Sequence, residues 1–205
     1  MSRPRASRTV ENEVRRLGFG HVAGVDEVGR GCLAGPVVAG AVILHAERYI
    51  AGVADSKVLS PDDRDDLYPL ITSSAIAWAV AIVEPQEIDR INIHKASFEA
   101  MRQAIMALVP LPGFILVDGF RIPNLVIPQR HIVGGDRKST AIAAASIVAK
   151  VTRDRLMMEL HTRDPRYGFD RHKGYATRDH LDAVGKFGYS PVHRRTFRPP
   201  TLFEV

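Results

Sequence analysis

The stretch Gly24-Val25-Asp26-Glu27-Val28-Gly29-Arg30-Gly31 sets two adjacent carboxylates at the end of an apolar run, directly before a glycine–arginine–glycine turn. Carboxylates hold hard divalent cations. Glycine lets a backbone come close to a ligand, and arginine suits phosphate. Together they suggest metal-dependent chemistry on a nucleic acid. Neighbouring side chains of a regular strand face opposite ways, so Asp26 and Glu27 share a site only if the strand ends there. Two more acids stand in similar settings. Asp118 follows Phe114-Ile115-Leu116-Val117 and precedes Gly119, and Asp136 follows Gly134-Gly135. Four acids on one edge would repel one another unless cations were bound. Mg²⁺ or Mn²⁺ suits such oxygen donors, and two ions about 4 Å apart would serve both the attacking and the leaving oxygen of phosphodiester hydrolysis. On spacing alone, Asp118 and Asp136 read equally well as turn formers beside glycine.

These acids need elements to carry them. Glu11 to Leu17 patterns as a short helix ended by Gly18, and His21 to Asp26 as a short strand. Pro36 to Leu44 is a nearly unbroken apolar run, the pattern of a buried strand. Ser60 before Pro61 predicts an N-cap and the first residue of a helix toward Leu70. Ala75 to Val83 predicts a strand, and His94 to Val109 a helix with Phe98, Met101, Ile105 and Leu108 at helical spacing. Phe114 to Val117 and Val126 to Val133 complete five strands. A long helix from Ser139 to about Leu160 opens on small residues, and Thr177 to Val184 leaves room for one more. The expected fold is α/β: a five-stranded mixed sheet flanked by helices, with a helical basic C-terminal segment. In such sheets, sites form where strand ends converge.

Composition fits a globular domain: 45% hydrophobic and 25% charged over 205 residues, enough to bury a real core. The net charge of +5 is unevenly spread. Residues 163–198 hold nine Lys or Arg against four Asp, while 44–118 hold eleven acids against six bases. A basic segment beside acidic catalytic edges is compatible with a polyanionic partner. Cys32 is the only cysteine, so no intrachain disulfide forms, which fits a reducing cytoplasm. The Arg-rich start has no apolar stretch behind it to make a signal peptide, and no run is long enough to span a membrane. A solvated N-terminal tail is expected over residues 1–9. The expected layout is a tail and short helix at 1–19, a catalytic core at 20–162, and a substrate-binding segment at 163–205.

The chain closely resembles bacterial ribonuclease HII. The resemblance rests on GVDEVGRG (24–31), AGPVVAGAV (34–42), DSKVLS (55–60), LVDG (116–119), GGD (134–136), IAAASIVAKVTRD (142–154), YGFDRHKGYATRDH (167–180) and PVHRRTF (191–197), in the family's order. It implies a ribonuclease H-like fold and cleavage of the RNA strand of RNA–DNA hybrids. It also implies cutting 5′ of a single ribonucleotide in duplex DNA, leaving 3′-hydroxyl and 5′-phosphate ends. Carried over by position, Asp26, Glu27, Asp118 and Asp136 are the metal ligands. Gly29-Arg30-Gly31 contacts the 2′-hydroxyl, and Tyr175 packs on the sugar of the following nucleotide. Lys57, Lys173, Arg194 and Arg195 are candidate phosphate contacts, because a duplex binder needs neutralising charge. A monomer is the expected state. Cys32 departs from the proline common in the family and is expected to act as a small buried hydrophobe; Ala176 stands where glycine is frequent. The eight histidines lack a zinc spacing. Two rivals stand beside the nuclease: a non-catalytic hybrid-binding module and a metal-dependent phosphatase.

Overall fold

The computed structural model of the chain describes residues 6–197. Five strands form one sheet in the order β3-β2-β1-β4-β5: β1 (Val22–Val28), β2 (Val37–Leu44), β3 (Ala75–Val83), β4 (Phe114–Asp118) and β5 (Gln129–Ile132). The sheet is mixed. β2 runs antiparallel to both β1 and β3, while β1–β4 and β4–β5 are parallel. The helices are α1 (Thr9–Arg16), α2 (Pro61–Ser74), α3 (Pro85–Ile91), α4 (Ile93–Met106), α5 (Thr140–Arg163), the single-turn α6 (Phe169–His172) and α7 (Arg178–Phe187). This is the mixed five-stranded sheet expected from the sequence.

The sheet is covered on both faces, which explains the unbroken apolar character of β2: all eight of its residues are buried. One apolar layer joins Val25, Ala39, Ile43 and Val117 to Ala100, Met101 and Ile105 of α4. The other joins Val42 and Leu44 to Leu67 and Ile71 of α2 and Ala144, Ile147 and Val148 of α5. The small residues of α5 let it lie very close to the sheet. A Cβ on Gly24 would strike the α5 backbone at Ala141 and Ile142, so only glycine fits there.

α5 is the helix that backs the site, and its start is doubly held. Ser139 accepts from the Ile142 amide at 3.2 Å. The buried Glu11 carboxylate of α1 accepts from the Ala141 amide at 2.7 Å and from the Ser139 hydroxyl at 2.8 Å. An anion at a helix N-terminus is favoured by the free amides there. At α2, Ser60 and Asp63 form the reciprocal cap that Ser60-Pro61 foreshadowed, each accepting from the other's amide at 3.1 Å.

Three expectations need correction. The strand expected at Val126–Val133 shrinks to Gln129–Ile132, because Pro128 cannot donate to a ladder and the stretch before it turns. Its Gln129 side chain closes that turn, accepting from Ile122 N and donating to Ile122 O. α3 was not foreseen; Pro85 starts it directly after β3. The solvated tail expected at 1–9 is docked where it is described. Arg8 donates to the carbonyls of His45 and Ala46 at 3.0 and 2.7 Å and to that of Arg48, and α1 begins at Thr9. Residues 1–5 and the C-terminal end from 198 lie outside the described residues. No helix among the described residues is long and apolar enough to cross a membrane.

Candidate active site

Parallel pairing of β1 and β4 brings the acids together. Val25 is level with Val117, so Asp26 and Asp118 emerge side by side from neighbouring strand ends. β5 pairs Ile132 with Asp118, and the chain turns through Gly134-Gly135 to deliver Asp136 to the same edge. One carboxylate oxygen from each of Asp26, Asp118 and Asp136 lies within 4.8 Å of the others. Strand alternation sends Asp26 to the α5 face, where the Ser146 hydroxyl donates to it. The strand does not end at Asp26, as sharing one site would require: β1 runs on through Val28, and Glu27 turns the other way, outside the cluster of three acids. It accepts from Arg30 at 3.1 Å, and Arg30 in turn meets His94 at the start of α4 at 3.0 Å.

The acids are held against their own charge. Burial pushes Asp26 well above the usual carboxylate range, and Glu27 and Asp118 push it further. The Ser146 hydroxyl and the Glu27 amide, 2.7 Å away, pull the other way without winning. Burial also raises Glu27, against the opposing pull of Arg30. Asp136 is raised by burial and then by Asp55, with Lys57 opposing at 3.4 Å. Asp55, from the same loop as Lys57, goes the other way. Burial raises it, but the Lys57 amide and Arg137 outweigh that and hold it below the ordinary range. Two buried carboxylates and one half-buried one at this spacing, with Lys57 nearby, are an all-oxygen donor set short of positive charge. Such a set fits a hard divalent cation.

Beside the acids, the turn at Gly29-Arg30-Gly31 is shaped from beneath. Gly29 sits at φ +94°, and a Cβ there would press on the Arg153 guanidinium and on the Pro36 carbonyl. Arg153 and Arg194 are both fully buried, and among the described residues neither pairs with a carboxylate. Arg153, from α5, donates to the carbonyls of Pro36, Lys173 and Ala34 at 2.9, 2.8 and 3.1 Å. Arg194 donates to the carbonyls of Gly35, Arg30 and Gly29 at 2.6–3.1 Å. Burial pushes the Arg194 guanidinium down to about 10, against opposing pull from Cys32. Arg194 was expected at a phosphate. Its guanidinium instead faces inward, onto the turn.

A family model described as ribonuclease HII matches residues 23–199. The chain belongs to the ribonuclease HII family. The ribonuclease HII of Nocardia farcinica is 50% identical over 193 residues, covering 93% of this chain and 77% of that one. Among solved structures, ribonuclease H2 from Pyrococcus horikoshii superposes with a TM-score of 0.74 at 28% identity, covering 87% of this chain and 94% of that one. The ribonuclease HII of Archaeoglobus fulgidus, solved in complex with PCNA, also gives 0.74, at 25% identity, covering 87% and 96%. The fold is therefore ribonuclease H-like. This ribonuclease HII is a metal-dependent type 2 ribonuclease H, an endonuclease acting on RNA–DNA hybrids.

The other expected residues of this ribonuclease HII divide by location. Tyr175 is 42% exposed and bridges in the backbone to Cys32, beside the turn. Burial raises both its phenol and the Cys32 thiol. Cys32 is fully buried, as a small hydrophobe would be. Tyr175 is held from behind by its carbonyl, 2.9 Å from His180 Nδ1. His180 Nε2 lies 3.0 Å from His193 Nε2, and His193 Nδ1 accepts from the Ser190 amide at 3.0 Å. That last bond fixes the order of donors: His193 Nε2–H donates to His180, and His180 Nδ1–H donates to Tyr175. Burial keeps both rings neutral, each pushed down to about 4. Lys173 takes φ +51°, and its ammonium donates to the Asp170 carbonyl and to Met158 Sδ. Arg195 is exposed, 6.0 Å over the Tyr189 ring, with its amide donating to Asp89 at 2.8 Å.

Sequence reasoning missed Arg153 and Ser146. Ser146 also meets Ser56 of the Asp55-Ser56-Lys57 loop at 2.6 Å, tying that loop to the helix behind Asp26. The available signal was a pair of polar residues interrupting the small, apolar face of α5.

Proposed function

We propose that this ribonuclease HII cuts hybrids within the RNA strand and cuts duplex DNA on the 5′ side of a single ribonucleotide, leaving 3′-hydroxyl and 5′-phosphate ends. The observation that carries this reading is the convergence of Asp26, Asp118 and Asp136 within 4.8 Å, beside the Gly29-Arg30-Gly31 turn. Those three acids, with Glu27 beside them, would hold two Mg²⁺ or Mn²⁺ ions. Bound there, the ions supply charge for the scissile phosphate and an activated water for attack.

The chain's own groups do the positioning. Ser146 and the Glu27 amide fix the Asp26 carboxylate, the Gly135 amide donates to Asp118 at 2.7 Å, and Arg30 steers Glu27. Lys57 reaches over Asp136 and is placed to meet a phosphate oxygen. Tyr175 offers a ring face for the sugar of the next nucleotide, and Lys173 and Arg195 offer charge to the duplex backbone. The 2′-hydroxyl is the one group that separates RNA from DNA at a given position, so selectivity belongs to the turn. We assign catalysis to residues 20–162 and duplex contact to 163–205, in a monomer of the reducing cytoplasm.

A duplex carrying one ribonucleotide, incubated with and without Mg²⁺ or Mn²⁺, tests this directly. A single cut at the 5′ phosphate of the ribonucleotide, for any base, is expected. Cutting of the all-DNA duplex at the same rate, or cleavage at an unrelated position, would overturn the reading.

A further inference from the structure

Arg194 lies at the far end of the chain from the turn it holds. Its guanidinium grips the carbonyls of both Gly29 and Arg30, at 2.6 and 2.9 Å, and the carbonyl of Gly35 at 2.9 Å. In a trans peptide the C=O of one residue and the N–H of the next point in opposite directions. Pulling the Gly29 and Arg30 carbonyls inward therefore turns the Arg30 and Gly31 amides outward. Among the described residues neither amide donates to any group of the protein. Gly31 is exposed, and a Cβ there would meet nothing, so the outward side is open. A buried cation beneath two aligned peptide units also reinforces their positive, outward ends.

We propose that Arg194 is a positioning residue for substrate selection: it holds the Arg30 and Gly31 amides as a paired donor aimed at the 2′-oxygen of the ribonucleotide. This rests on the function proposed above and assigns the discriminating geometry to a residue that touches no substrate. Three features support it over a purely structural role. The guanidinium spends its donors on the turn and its neighbour Gly35, not on its own segment. It is fully buried without an acid partner, a costly arrangement for a residue that only fills space. The rest of the loop, at Ala34 and Pro36, is already held by Arg153.

The test compares two substrates: a DNA duplex with one ribonucleotide, and the same duplex with a 2′-fluoro nucleotide there. Fluorine keeps the size but accepts hydrogen bonds poorly. Wild-type protein is measured first. If it cuts both equally, the function proposed above fails, and this inference with it. If it prefers the ribonucleotide, Arg194→Ala is expected to shrink that preference by at least about tenfold, because the donors lose their aim. The loss should fall on kcat more than on KM. Millimolar guanidinium should restore part of the ribonucleotide rate to Arg194→Ala. Arg194→Lys keeps the charge but not the planar fork, and should also lose preference; it carries the ratio test if the alanine variant does not fold. An equal slowing on both substrates, with the wild-type ratio intact, would make Arg194 merely structural and overturn the proposal.

Discussion

Two buried charged groups lie on either side of Gly29 and are built on opposite principles. The carboxylates of Asp26, Asp118 and Asp136 face one another with too little positive charge between them. Among the described residues the guanidinium groups of Arg153 and Arg194 also lack counter-ions, yet each of their nitrogens donates to a backbone carbonyl. The first arrangement is left incomplete for a ligand to finish. The second is complete and rigid. Burial alone therefore does not separate a working site from its scaffold; the difference lies in whether the polar atoms are already satisfied.

That contrast is easy to try to break. The largest effect is expected from Asp118→Asn. It should lower cleavage by at least about a thousandfold, a barrier change of about 4 kcal/mol, while the melting temperature in metal-free buffer holds or rises because repulsion is relieved. A falling melting temperature would mean that the acids are scaffold after all. Arg153→Met should do the reverse to stability. Three carbonyls lose their donor, costing about 3 kcal/mol in urea unfolding. A loss well below ~1 kcal/mol would show that the guanidinium is replaceable.

Next in size is the response to acid. His180 and His193 titrate near 6.5 when unfolded and at about 4 when folded. The folded state thus refuses protons that the unfolded chain accepts. Their contribution is complete above pH 6.5 and is lost as pH falls toward 4, at up to about 1.4 kcal/mol per pH unit for each ring. His193→Gln should flatten that limb of the stability curve; an unchanged limb would place the titration elsewhere. Lys173→Ala combined with Arg195→Ala should reduce the slope of log affinity against log salt by about one or two. The smallest effect is expected from Tyr175→Phe. It keeps the ring and loses only the hydroxyl, so its cost in kcat/KM should stay below ~1 kcal/mol, whereas Tyr175→Ala should cost clearly more.

Most of the frame was legible from local signals. Ser60-Pro61 marked a helix start, the apolar run of β2 marked a strand covered on both faces, and acids beside glycines marked strand ends. β5 was misjudged because Val126 and Ile127 look strand-forming while Pro128 decides where pairing begins. Of the acids, Asp26-Glu27 was legible from its own setting before the glycine–arginine–glycine turn, whereas Asp118 and Asp136 read equally well as turn formers until the family resemblance singled them out. Arg194 was not legible. His193-Arg194-Arg195 reads as a solvated basic run, and nothing local distinguishes the inward arginine from the outward one. Its burial is set by the fit of residues 190–194 against the loop at 29–36, which is a tertiary matter.

The bond from Arg194 to Gly29 spans 165 residues of chain. On a ribosome the turn emerges before Arg194, and so do the helix and strands that gather Asp26, Asp118 and Asp136. A nascent or prematurely terminated chain would carry the cutting edge before it carries the part that aims the turn. A chain that ends before residue 194 would keep the acids and lose the guanidinium that holds the Gly29 and Arg30 carbonyls.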